Sequence, residues 1–186
     1  MRIPSATAAA LFLLAALAVS GGLSAQALAP GRTGPVLDRF GPVYDIPDPD
    51  FPTPTGELRA VWEVALGSDP PEQRNPRLES VARFVNMHAR AGVPRENLKL
   101  AVVVHGTAGK DLLGHEGYRS RFGVDNPNYE MVQELLAFGV QVILCGQTHM
   151  ARGLPREEVA DGVQVALSAM TALVALQDGG YRLIPF

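Results

Sequence analysis

A chain of 186 residues with a formal net charge of −3 has room for one domain and little more. Its mild acidity argues against a nucleic-acid partner. A single cysteine excludes an internal disulfide, so that thiol must be buried, paired with another molecule, or reactive.

Residues 1–27 read as a secretory signal peptide. Arg2 supplies a thin basic start, residues 8–19 (AAALFLLAALAV) are apolar and uncharged, and Ala25-Gln26-Ala27 fits the small-x-small cleavage pattern. The apolar run is shorter than the ~20 residues that cross a bilayer. The mature chain is therefore expected to begin at Leu28, to carry no membrane span, and to act in the periplasm or outside the cell, where the surroundings are oxidising. Residues 28–55 are proline-rich, from Pro30 to Pro54, and show neither helical nor strand periodicity. They read as an extended or disordered arm. Phe40, Val43, Tyr44, Ile46 and Phe51 give that arm apolar side chains able to dock on a domain. Asp45, Asp48 and Asp50 lack the twelfth-position glutamate of a calcium loop and read as a solvated acidic turn.

The globular part, residues 56–186, opens with a strand over 58–66, where Leu58, Ala60, Trp62, Val64 and Leu66 share one face. Asn75-Pro76 then signs the start of a helix whose Leu78, Val81, Ala82, Val85 and Ala89 recur at helical spacing, and Gly92 and Pro94 end it. Residues 98–105 (LKLAVVVH) are apolar at the centre, as expected of a strand covered on both faces. The glycine-dotted stretch 111–123 reads as irregular. Asn126-Pro127 repeats the cap signature for a helix running to about Phe138, closed by Gly139.

Residues 140–144 (VQVIL) form the next strand, which ends in Cys145 and turns at once through Gly146. A short helical turn follows Pro155, and residues 163–167 read as a strand. Ser168 caps the uncharged helix 169–177, which must bury itself in the core or against another subunit. Residues 181–186 are a last short strand. The order β-α-β-α-β-β-α-β predicts a mainly parallel sheet with helices on both faces.

In such a sheet Cys145 sits at the carboxyl end of its strand, where open α/β sheets place their sites. It reads either as a small buried hydrophobe or as an activated thiol, with His149, Arg152 and the amides of the next turn favouring thiolate. His105 ends the second strand as Cys145 ends the third, and if those strands are neighbours both side chains lie at the same edge. Cys145, His149 and His105 lack the spacing of a metal set, so no metal and no cofactor is expected. Gly106 and Gly109 do not form a nucleotide loop, because the P-loop Lys-Ser/Thr pair is absent. Lys110 reads as a solvated charge, and His88 and His115 as surface or packing residues.

Three segments together resemble the DsrE/DsrF-like family, whose sulfur-carrier members include the TusD-type proteins: LKLAVVVHGTAGKDLL (98–113), VQVILCGQTHMARGLP (140–155) and VALSAMTALVALQDGGYRLIPF (165–186). The resemblance runs from about Glu57 to the C-terminus and leaves out the signal and the arm. It implies a three-layer α/β/α domain with a five-stranded, mainly parallel sheet, and homo-oligomers that are often trimers or hexamers. In sulfur-relay members a cysteine after the third strand carries a persulfide, and Cys145 matches it by position in the motif. The candidate catalytic set is then Cys145, His105 and His149, with Gly106, Thr107, Gly146, Gln147 and Arg152 around the substrate. Relay members act in the cytoplasm, so the signal peptide here sets this chain's thiol or sulfane-sulfur donor and acceptor apart from theirs. Two functions follow. One is persulfide transfer through Cys145, the work of a sulfur carrier or sulfurtransferase. The other is a non-enzymatic, homo-oligomeric binding or assembly module in which Cys145 is inert.

Overall fold

The computed structural model describes residues 30–185. The expected signal peptide and its cleavage point lie outside the described residues. Five strands form one sheet: β1 (Leu58–Val64), β2 (Leu98–Val104), β3 (Gln141–Cys145), β4 (Gln164–Ala166) and β5 (Arg182–Ile184). Their order is β4-β3-β2-β1-β5, and every pairing is parallel. The α-helices among the described residues are α1 (Pro76–Arg90), α2 (His115–Phe122), α3 (Tyr129–Phe138), α4 (Gly146–Ala151) and α5 (Ala169–Asp178).

Handedness explains the layering. From β1 to β4 the chain steps across the sheet in one direction, so right-handed crossovers put α1 and α3 on the same face. From β4 to β5 it travels back across the whole sheet, and the same handedness puts α5 on the other face. The period-two pattern of the strands divides accordingly. Trp62, Val64, Val102, Val104 and Leu144 pack with α1, Tyr118 of α2 and α3. Val61, Val103, Ile143 and Cys145 pack with Ala169 and Ala172 of α5. This is a three-layer α/β/α fold, as expected, with the sheet parallel throughout.

Three local readings of the sequence need correction. The stretch 111–123 is not irregular: a 3-10 segment, Gly106–Leu112, leads into α2, which ends on Gly123 in the left-handed conformation at φ 76°. Its glycines hid it, because Gly117 is there for packing: a Cβ at that position would meet the Glu158 side chain at 2.8 Å. The second Asn-Pro signature also acts differently from the first. Asn75 caps α1 by accepting from the backbone N–H of Arg77 and Leu78, whereas α3 begins after Asn128. Asn126 instead donates to the carbonyls of Asp111 and Leu113 and accepts from Asn128 N–H. Finally, the sequence suggests only turns between the Cys145 strand and the next, and the structure puts a helix there, α4, directly after Cys145. In α5, expected to bury itself in the core or against another subunit, Ala169 and Ala172 are buried among the described residues. Met170 is 75% exposed and Val174 59%.

The arm is docked along part of its length. Leu37, Phe40 and Val43 are buried, while Tyr44, Ile46 and Phe51 are exposed. Asn86 of α1, itself fully buried, accepts from Leu37 N–H at 2.9 Å, and its amide nitrogen lies 2.9–3.1 Å from the carbonyls of Leu37, Phe40 and Gly41. One turn on, Arg90 donates to the carbonyls of Gly34, Arg32 and Thr33. Two polar side chains spaced i, i+4 on one helix face thus satisfy the backbone of a segment without regular structure of its own. No helix of the described residues is long and apolar enough to cross a membrane.

Candidate functional site

The carboxyl ends of β1, β2 and β3 lie side by side, and the loops that leave them carry the candidate residues. Cys145 is the last residue of β3 and the N-cap of α4. It is 5% exposed. Gly146 is required behind it: a Cβ there would stand 2.5 Å from the carbonyl oxygen of Ala166, the residue that pairs with Cys145 on β4. Burial pushes the Cys145 thiol up, but the N–H groups of Thr148, Ala169 and Gln147 and the Thr148 hydroxyl together outweigh it. The thiol ends below the ordinary cysteine range, because fixed dipoles at the start of α4 and α5 favour the thiolate.

His105 follows Val104, the register partner of Leu144, so it stands beside Cys145 along the sheet edge. Its imidazole Nε2 lies 2.5 Å from Glu63 Oε1 on β1. His149, on α4, is half-buried and its Nδ1 has no hydrogen-bond partner among the described residues. Gly106 takes φ +58°, and a Cβ there would meet the Ala65 carbonyl oxygen at 2.6 Å. Only glycine lets the loop turn so close to β1. The Gly106 N–H donates to Thr148 Oγ1 at 3.0 Å, which fixes the hydroxyl that also serves the thiol. Thr107 Oγ1 accepts from Gly67 N–H at 2.9 Å and donates to Ala65 O. Gln147 is exposed and donates to Leu167 O. Arg152 is exposed and lines a cleft whose walls include Thr107 but not Cys145, His105 or His149.

Sequence reading thus gathered residues that belong to two places. Cys145, His105 and Glu63 share the α5 side of the sheet edge, whereas Thr107, Lys110 and Arg152 face the α1 side. The reading also missed Thr148, which lies inside the quoted CGQTHM motif. It missed as well a polar cluster beneath the cleft. Asp111, fully buried, accepts from Ser68 N–H at 3.0 Å, Ser68 Oγ–H at 2.7 Å and Asn75 Nδ2–H at 2.7 Å. Tyr118 OH lies 3.4 Å from Ser68 Oγ, and Lys110 Nζ donates to Ser68 O at 2.6 Å. Burial holds the Asp111 carboxyl above the ordinary carboxylate range, against the opposing pull of those donors and of Lys110. No group of three His, Cys, Asp or Glu side chains able to hold a metal occurs among the described residues.

The family model described as "DsrE/DsrF-like family" matches residues 65–186. The chain belongs to the DsrE/DsrF-like family. The match takes in β2 to β5 and every candidate residue named from the sequence. Two solved structures are similar to this DsrE/DsrF-like chain. The ychN protein from E. coli is 19% identical, the match covering 69% of this chain and 99% of that one, with a TM-score of 0.51. The protein of unknown function MTH1491 from Methanobacterium thermoautotrophicum is also 19% identical, covering 70% of this chain and 100% of that one, with a TM-score of 0.49. The likeness to ychN is one of fold. A search of curated proteins gives no match.

Proposed function

We propose that this protein is an exported sulfur-handling protein that holds sulfane sulfur on Cys145. The observation that carries the reading is the set of amide N–H groups and the Thr148 hydroxyl that lower the pKa of a thiol at a strand end. Membership of a family with sulfur-relay members supports it. In the reaction, the Cys145 thiolate attacks the terminal sulfur of a donor persulfide, R–S–SH. A new S–S bond forms to Cys145, the donor S–S bond breaks, and R–S⁻ leaves with the electron pair. An acceptor thiolate then attacks the terminal sulfur and releases the Cys145 thiolate, so the cycle is redox-neutral. The N–H groups that favour the thiolate also favour the persulfide anion, which carries the same charge one atom further out. His105, held by Glu63, and His149 stand at the same edge to exchange protons with donor and acceptor.

A second observation bears on assembly. Met150, Leu167 and Met170 are each 73–75% exposed, and Val174 follows Met170 by one turn of α5. Such an apolar row on α4, the β4 end and α5 suits a subunit contact, and it supports a homo-oligomer whose neighbour closes over the Cys145 edge. The binding or assembly module remains the alternative function.

Mass spectrometry of the native protein after exposure to polysulfide or glutathione persulfide tests the reading. The expected result is one added sulfur atom on Cys145, removed by a thiol acceptor and lost in Cys145→Ser. A Cys145 that takes up sulfur or iodoacetamide only after denaturant is added would overturn it and leave the assembly module in its place.

A further inference from the structure

The cleft on the α1 side of the sheet edge has a volume of about 700 Å³, within the range of sites for organic ligands. Its walls carry five cations, Arg74, Arg77, Lys110, Arg121 and Arg152, against one carboxylate, Asp69. That balance runs against the composition of a chain with 16 basic and 19 acidic residues. Cations gathered this closely repel one another, and an anionic ligand relieves the repulsion.

The five are not equally committed. Arg121 is held by Glu158 and by the carbonyls of Gly117 and Gly153, and Arg74 faces Glu79 at 3.6 Å. Lys110 spends one donor on Ser68 O and lies 4.7 Å from the centre of the Phe122 ring. It keeps further N–H donors, since an ammonium has three. The guanidinium groups of Arg77 and Arg152 have no hydrogen-bond or ion-pair partner among the described residues. Asn75 already caps the amides of Arg77 and Leu78, so an anion entering here meets side chains rather than the end of α1. The lining also includes the apolar side chains Leu66, Phe122 and Leu154.

We propose that this cleft binds a small organic anion carrying at least two phosphate or carboxylate groups, held by Arg77, Arg152 and Lys110 and flanked by Leu66, Phe122 and Leu154. The three cations come from α1, the segment after β2 and the segment after α4, so a ligand charged at more than one end uses them all. Guanidinium groups suit either oxyanion, because their paired N–H donors match two oxygens at once. The site is separate from the sulfur chemistry proposed above: Cys145 packs on the α5 face, and Leu154 and Leu66 are on the other side.

Calorimetric titration of the purified protein with pyrophosphate and, separately, with citrate tests the proposal, with backbone amide NMR shifts as the second readout. Saturable binding of at least one probe is expected, with shifts centred on Gly67, Lys110 and Arg152 and weakening as salt is raised. Pyrophosphate binding alone assigns a phosphate ligand, and citrate binding alone a carboxylate one. Arg77→Gln with Arg152→Gln should weaken binding roughly tenfold or more. Arg83→Gln, on α1 but outside the cleft, and Cys145→Ser should leave it unchanged. Absence of saturable binding by both probes overturns the proposal. So does a double variant that binds as well as the wild type, or an Arg83→Gln that is equally impaired.

Discussion

His105 Nε2 lies 2.5 Å from Glu63 Oε1, so the imidazole beside Cys145 engages the carboxylate of β1 and leaves the thiol to the amides of α4 and α5. Thr148 gives that thiol both a backbone N–H and a hydroxyl. The rate of Cys145 alkylation against pH should therefore have its midpoint below the ordinary cysteine value. Thr148→Val, which keeps the shape and removes the hydroxyl, should raise that midpoint more than His105→Ala does. A larger effect from His105→Ala would make the imidazole, not the amides, the main stabiliser of the thiolate.

The carboxyl of Asp111 gives a pH effect of definite sign. Its folded pKa is raised by burial, so the folded chain holds its proton where the unfolded chain has released it. Below the ordinary carboxylate value both states are protonated. As pH rises from there through the raised folded value, Asp111 makes folding progressively less favourable. Subtracting the unfolding free energy of Asp111→Asn from that of the wild type, across the acid range, should show this fall. The variant itself should be less stable by about 1–3 kcal/mol, because an amide nitrogen would face the donors of Ser68 or Asn75.

Asn86→Ala should release the arm. The change strips partners from Leu37 N–H and from the carbonyls of Leu37, Phe40 and Gly41. Unmade buried hydrogen bonds of this kind cost about 1–3 kcal/mol each where water does not replace them. Loss of about 2 kcal/mol in chemical denaturation, with faster proteolysis between Gly31 and Val43, is the expected outcome. Unchanged stability and unchanged proteolysis would mean that the burial of Leu37, Phe40 and Val43 holds the arm without Asn86.

Gly146→Ala should disturb the sheet edge at Cys145. The added methyl would stand 2.5 Å from Ala166 O, so β4 must move or α4 must shift its first turn. Destabilisation of roughly 1–3 kcal/mol is expected, with an altered alkylation rate at Cys145. Crystal or NMR structures of the variant would show which segment moved.

The exposed row on α5 predicts self-association. Met170→Glu with Val174→Glu places charge on an apolar surface that the described residues do not cover, and should convert an oligomer in light scattering to a smaller species while circular dichroism stays unchanged. A wild-type protein that is monomeric at micromolar concentration would show that this face is not a contact between copies.

The order of the five strands, the helices α1, α3 and α5, the parallel sheet and the place of Cys145 at a strand end were legible in the sequence, because apolar periodicity and glycine turns are local signals. α2 and α4 were not, since a helix of eight residues with Gly117 inside it and one of six residues carry little periodicity. Tertiary structure alone decided which neighbours each functional group meets. Residues close in the sequence were parted: period two along β3 sent Cys145 to the α5 face with His105 beside it, and α4 carried Arg152 to the cleft on the α1 side. Residues far apart were joined in the same way, as Ser68 and Asn75 meet Asp111 beneath the cleft and Asn86 meets the backbone of the arm. Hydrogen bonds and charge contacts depend on distance in space, which the crossovers set, so no spacing along the chain could have named these partners.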